Sequence, residues 1–269
     1  MINPPPGAWL TVTFDLQQPI QIEEALCVYP DGSLWYWSLA AAAADRRNRV
    51  GTFVAALDSS AQQRSRQVVA DLLALKPLPA PATPSGTAVT ITVLSNGRQQ
   101  AHTYYQGSGI PGPLQSTHQL IQELLVEAEN SPYSVLRVTT RADAFPPTAP
   151  TANGIFLFDN PGTQPVAFTL EANAFILSGT LRSGQTFGPQ NLGRPVIGLT
   201  DSTGKSHGGI YSPARFAPGE RAALSFLDAI QAGPAQIGTV SGKAEGVITL
   251  RYPGSEPAPL PEDRFMLNT

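Results

Sequence analysis

The sequence predicts an α+β protein: an N-terminal antiparallel sheet carrying two amphipathic helices, then a β-rich, sandwich-like domain with one helix. Three observations carry this. Short stretches of alternating apolar and polar residues recur along the chain, the mark of half-buried strands. Glycine (24) and proline (26) are abundant among 269 residues, which supplies turns between short elements. Two segments, beginning near Asp58 and Leu114, instead gather their apolar residues at helical spacing.

The elements follow in order. In "AWLTVTFDL", Trp9, Thr11 and Thr13 oppose Leu10, Val12 and Phe14, so a strand is expected. "ALCVYPDGSLWYWSLA" reads as two strands around Pro30-Asp31-Gly32, where proline presets one turn dihedral and glycine tolerates positive φ. The strand "VGTFVAAL" ends before Asp58, and Asp58, Ser59 and Ser60 are all competent to cap the helix that follows. Val68, Val69, Leu72, Leu73 and Leu75 lie toward one side of that helix, which stops before Pro77. "TAVTITVLSNGRQQAHTYYQ" is a hairpin turned by Asn96-Gly97, because both positions accept left-handed φ. Leu114, His118, Ile121, Leu125 and Ala128 form the stripe of the second helix, and the strand "SVLRVTT" closes the domain.

The prolines of "RADAFPPTAPTANG", residues 141 to 154, forbid helix continuation and central-strand hydrogen bonding. A boundary is therefore expected between domains 1–145 and 146–269. Beyond it, "GIFLFDN", "PVAFTLEANAFILSGTL", "PVIGLT", "GGIY", "AQIGTV" and "GVITLRY" read as strands. In "APGERAALSFLDAIQAG", Pro218 and Glu220 suit a first helical turn, and Ala223, Phe226, Leu227 and Ile230 share one helical face. The alternation of Ala222, Leu224 and Phe226 leaves a strand open there, which would make the domain a pure β-sandwich. In the tail, Phe265, Met266 and Leu267 are expected to dock as a last edge strand.

Composition excludes several classes. Charged residues make up 14% of the chain, against about 25% in an average domain, and the net charge is −3. Neither half is basic, so the concentrated positive field that nucleic acid requires is missing. Arg46, Arg47 and Arg49 read as a solvated turn. Cys27 stands alone between Leu26 and Val28, which rules out an internal disulfide and suggests a buried small hydrophobe. No apolar stretch is long enough for a membrane helix and no secretory leader is visible, so a cytoplasmic location is expected.

Motif by motif, chemistry is sparse. Gly107, Gly109 and Gly112 spell G-x-G-x-x-G, the phosphate-binding fingerprint, but the preceding strand belongs to an antiparallel hairpin, and Pro111 and Pro113 remove N–H donors that a pyrophosphate needs. "GLTDSTGKS" imitates a phosphate loop with Gly204, Lys205 and Ser206, yet Leu199 occupies the place of the first glycine. His102, His118 and His207 have no metal-ligand spacing, so neither metal nor cofactor is expected. Trp35 and Trp37 share one strand face and read as core.

From "VGTFVAALDSSAQQRSRQVVADLLAL" through "TAVTITVLSNGRQQAHTYYQGSGIPGPLQSTHQLIQELLVEA", the layout resembles the emfourin-type protein inhibitors of thermolysin-like metalloproteases, over residues 8 to 140. The resemblance implies protease inhibition. The glycine-rich stretch common in that family is replaced near Gln17, Gln18 and Pro19, so no inhibitory residues carry over. Few titratable groups converge, and the expected function is non-enzymatic binding of another protein. A hydrolase using Asp201, Ser202 or His207, and a structural subunit that self-assembles through strand edges, remain as alternatives.

Overall fold

A computed structural model describes residues 2–18, 20–42, 48–76, 78–79, 83–141, 152–191, 197–200, 206–210, 214–230, 234–253 and 260–269. By contact the chain forms two compact units. Unit 1 comprises Met1–Ser38, Thr52–Tyr133 and Tyr252–Gly254; unit 2 comprises Leu39–Gly51, Ser134–Arg251 and Ser255–Thr269. The boundary expected between 145 and 146 lies outside the described residues.

Unit 1 contains strands β1 (Leu10–Gln18), β2 (Ile20–Val28) and β3 (Ser33–Ser38). Strand β4 (Ala40–Ala42) belongs to unit 2, and β5 (Arg49–Ala56) gives unit 1 its residues from Thr52 onward. Helix α1 (Ser59–Ala74), the hairpin β6 (Ala88–Ser95) and β7 (Arg98–Tyr105), and helix α2 (Gln115–Glu129) complete it. The strand order is β5-β3-β2-β1-β6-β7. Local chemistry explains these elements. The Asp58 carboxylate accepts the Ala61 N–H at 2.7 Å, an N-cap for α1, and Val68, Val69 and Leu72 turn inward. Asn96 (φ 51°) and Gly97 (φ 74°) both take the left-handed conformation that a two-residue hairpin turn demands. Between β2 and β3, Asp31 accepts both the backbone N–H and the hydroxyl of Ser33, at 2.9 and 2.7 Å, and these bonds hold its carboxyl below the usual range.

Unit 2 contains β8 (Pro132–Arg141) from Ser134 onward, β9 (Ala152–Asp159), β12 (Ile197–Thr200), β13 (Ser206–Ile210) and β15 (Arg221–Ile230), ordered β13-β12-β15-β9-β8. A second sheet holds β10 (Val166–Leu181), β11 (Thr186–Asn191), β14 (Ala214–Phe216), β16 (Ile237–Thr249) and β17 (Glu262–Asn268), ordered β11-β10-β16-β17-β4 with β14 beside β10. Phenylalanines fuse the two sheets. Phe156 and Phe158 of β9 meet Phe175 of β10 at 5.0 and 5.7 Å between ring centroids, and Phe158 meets Phe168 at 6.2 Å. Phe216 of β14 closes on Phe168 edge-on at 5.3 Å. Gly242 of β16 admits the Phe156 ring, which would lie 2.4 Å from any added Cβ. The unit is a sandwich, as its alternating strands imply.

The α+β class is corrected. The described residues hold seventeen strands and two α-helices, and the helix expected in the second domain does not form. Residues 221–230 are strand β15, paired with β12 on one side and β9 on the other. Two ladders satisfy the backbone groups that a helix would satisfy internally, so tertiary pairing overrides local propensity. The supposed helix-start residue Glu220 caps a turn, its carboxylate accepting the Ala217 N–H at 2.7 Å. A second correction concerns the tail. Residues 262–268 pair antiparallel with β16 and parallel with β4, so β17 is an internal strand with Phe265 and Leu267 buried.

Candidate functional site

Strand alternation sorts the side chains of β8, β9 and β15 onto two faces. Val138, Phe156, Phe158 and Ala222 point into the core. Arg137, Thr139 and Arg141 of β8, Leu157 and Asp159 of β9, and Arg221 and Ala223 of β15 take the other face, where a cleft of about 770 Å³ opens. Register aligns them in rows. Arg137 lies opposite Asp159, which lies opposite Arg221; Thr139 lies opposite Leu157, which lies opposite Ala223. Among the described residues, the lining carries three arginines against one carboxylate.

Asp159 engages Arg137 through a two-pronged pair: Nε donates to Oδ1 at 2.8 Å and Nη2 donates to Oδ2 at 2.6 Å. This is the fork-on-fork geometry that makes guanidinium a carboxylate receptor. The hydrogen bond that Arg137 donates to Asp159 raises the Arg137 pKa against a smaller opposing effect of burial. Asn160, almost wholly buried, fixes the end of the row. Its side-chain amide donates to the Gln164 and Phe216 carbonyls at 2.8 and 3.1 Å and its Oδ1 accepts the Gly162 N–H at 2.8 Å. Its backbone N–H donates to the Glu220 carbonyl at 3.0 Å, next to Arg221. The Asp159 and Arg221 ends are thus held together by a fully bonded turn.

The residues singled out from the sequence are distributed otherwise. Asp201 and Ser202 lie outside the described residues, as do Gly204 and Lys205 of the phosphate-loop imitation; His207 sits on β13. His102 is buried in unit 1, with Nε2 3.0 Å from the Leu72 carbonyl. His118 shares a 2.8 Å hydrogen bond between Nδ1 and the Tyr104 hydroxyl, and burial lowers its pKa. The described residues hold no cluster of three or more metal-ligating side chains. Cys27 is buried and desolvation pushes its thiol up to about 12, which suits a packed hydrophobe. Trp35 and Trp37 pack with Tyr252 at 5.9 and 5.4 Å within unit 1. In the glycine-rich loop, Gly107 is required because the Ser85 carbonyl would lie 2.8 Å from a Cβ there, a packing reason in place of a phosphate.

No family model and no curated protein matches the chain. Among solved structures, the ASH / PapD-like domain of human CEP192 (PapD-like domain 7) matches at 20% identity, covering 49% of this chain and 82% of that one, with a TM-score of 0.18. A superposition that poor bears no structural or functional weight. No helix of the described residues is long and apolar enough to cross a membrane, which says nothing of strands.

Sequence reasoning missed Arg137, Arg141, Asp159 and Arg221. One signal was available: in a chain with 17 lysines and arginines, "RVTTR" places Arg137 and Arg141 on the same face of one strand.

Proposed function

We propose that the chain is a protein-binding protein, and that the outer face of β8, β9 and β15 in unit 2 takes an acidic segment of its partner. The observation that carries this is the row Arg137, Asp159, Arg221 with Arg141 nearby. Asp159 demonstrates carboxylate recognition on the spot, holding Arg137 through both oxygens, and Arg221 lies exposed in the same row. Guanidinium groups on a firm sheet lose little freedom on meeting a carboxylate, which favours binding over a comparable set of lysines.

The test is fluorescence anisotropy with a labelled ten-residue polyglutamate peptide and its polyglutamine counterpart. The chain binds the first alone, more weakly at raised salt because the contacts are partly exposed. The double variant Arg137→Gln, Arg221→Gln, checked for native circular dichroism, loses at least about tenfold in affinity, or about 1.4 kcal/mol. Unchanged binding by this variant overturns the assignment. Protease inhibition, implied by the resemblance over residues 8 to 140, is a separate proposal for unit 1. Its measurement is the rate of substrate hydrolysis by a thermolysin-like metalloprotease with and without the chain.

A further inference from the structure

Unit 1 holds a short proline-rich stretch of its own chain against a cluster of aromatic rings. Pro4, Pro5 and Pro6 each fix φ at about −65° and push the residue before them out of the helical region, so Asn3, Pro4 and Pro5 are confined to extended, polyproline-II backbone. Prolines also lack an N–H, so residues 4 to 6 offer carbonyl acceptors and no main-chain donors. At Pro6-Gly7 the chain turns, with Gly7 at φ 101°, before β1 begins.

Four rings face this stretch's chemistry. Trp35 and Trp37 lie on one face of β3 opposite Cys27 and Ala25 of β2, whose small side chains leave room for two indoles. Tyr29 lies 5.3 Å from Trp35 between ring centroids; Tyr252 stacks on Trp35 at 5.9 Å and meets Trp37 edge-on at 5.4 Å. Two of the rings supply donors in register. The Tyr29 hydroxyl donates to the Pro5 carbonyl at 3.1 Å, and the Tyr252 hydroxyl donates to the Asn3 carbonyl at 2.9 Å. Those carbonyls are two residues apart, about 6 Å along polyproline-II backbone. Burial pushes the Tyr29 hydroxyl above its ordinary value, so it keeps the proton it donates. Pro4 and Pro5 are half-buried, whereas Asn3 and Pro6 are exposed.

Aromatic rings bearing hydroxyl donors, set against an extended chain that offers only acceptors, are the chemistry of proline-rich recognition. We infer that the cluster of Tyr29, Trp35, Trp37 and Tyr252 is a receptor for proline-rich segments of another protein, kept closed by the chain's own Asn3–Pro6 stretch. Both hydrogen bonds go to main-chain carbonyls, so a partner's segment with prolines in the same places makes them equally well. Both hydroxyls are engaged in this state, and a partner enters by exchange. The attached stretch competes as a tethered ligand, which lowers the apparent affinity of a partner by the fraction of time that the site is filled.

Tryptophan emission of the full chain reads the exchange, because two of its three tryptophans belong to the cluster. The probe is acetyl-Ile-Asn-Pro-Pro-Pro-Gly-amide and the control is acetyl-Ile-Asn-Ala-Ala-Ala-Gly-amide, neither of which fluoresces. The variant Pro4→Gly, Pro5→Gly loosens the attached stretch. It binds the probe at least about fivefold more tightly than the unaltered chain does, and it does not bind the control. Should that double change disturb the fold, as circular dichroism reports, the milder Pro5→Ala gives the same ordering. Tyr252→Phe in the loosened chain keeps the ring, removes one donor and weakens the probe at least about threefold. Absence of probe binding to a natively folded loosened chain overturns the receptor, as does a control that binds equally well or indifference to Tyr252→Phe. Equal affinities of the loosened and unaltered chains overturn the closure.

Discussion

The two units solve the same problem, burying one or more faces of antiparallel sheet, with different amounts of polarity inside. Unit 1 takes polar groups inside. Glu24 is buried on β2 and accepts the Tyr36 hydroxyl at 3.0 Å and the Ser38 hydroxyl at 3.2 Å, and buried His102 sits against the Leu72 carbonyl of α1. Unit 2 fills the space between its sheets with phenylalanine and leaves Arg137, Asp159 and Arg221 on the outer face. The contrast teaches where to look for binding. A polar group bonded in a core is committed to the fold, whereas one on an accessible sheet face retains capacity for a ligand.

The comparison breaks first at the phenylalanine core. Phe158→Ala should cost unit 2 about 3–5 kcal/mol, read from urea unfolding and from lost hydrogen-exchange protection in β9 and β10. A loss below about 1 kcal/mol would mean that the rings do not carry the sandwich. Next comes the polar interior of unit 1, where Glu24→Ala strands the Tyr36 and Ser38 hydroxyls and should cost about 2–3 kcal/mol. Glu24→Gln, which keeps an acceptor, should cost less in the same chemical denaturation series.

Alkaline pH sharpens the contrast further. Burial pushes the Tyr104 hydroxyl up from an ordinary value of 10.0 to about 12. The folded phenol holds its proton where the unfolded one releases it, so stability is full below about pH 10 and is lost as pH rises through about 12. The expected loss is at most about 2.7 kcal/mol, and subtracting the unfolding curves of Tyr104→Phe isolates it. The smallest effect on folding belongs to the cleft: Arg221→Gln should change stability by less than about 0.5 kcal/mol while weakening acidic-peptide binding about tenfold. A large destabilisation would make Arg221 a structural residue.

Legibility in the sequence followed the range of the interaction. The Asp58 cap, the Asn96-Gly97 turn and the turn at Asp31 each depend on neighbours within a few residues, and each stands where the residues place it. Residues 221–230 were ambiguous because their apolar pattern fits both periods; strands β9 and β12, distant in sequence, decided the matter by offering hydrogen-bond partners. The segments at 20–24 and 40–42 carry weak local signals, and they are strands because β1 and β17 pair with them.

By itself, then, the sequence determined the alternation, the turns, the capped first helix and the second helix's apolar stripe, since these are written in adjacent side chains. Tertiary structure decided which strands pair and in what register. Only that register brings Arg137, Asp159 and Arg221 into one row, from two consecutive strands and a third, β15, that the chain reaches much later. Cross-strand neighbours are fixed by backbone hydrogen bonds that any residue can make, so nothing in the side chains of "RVTTR" announces the carboxylate it will face.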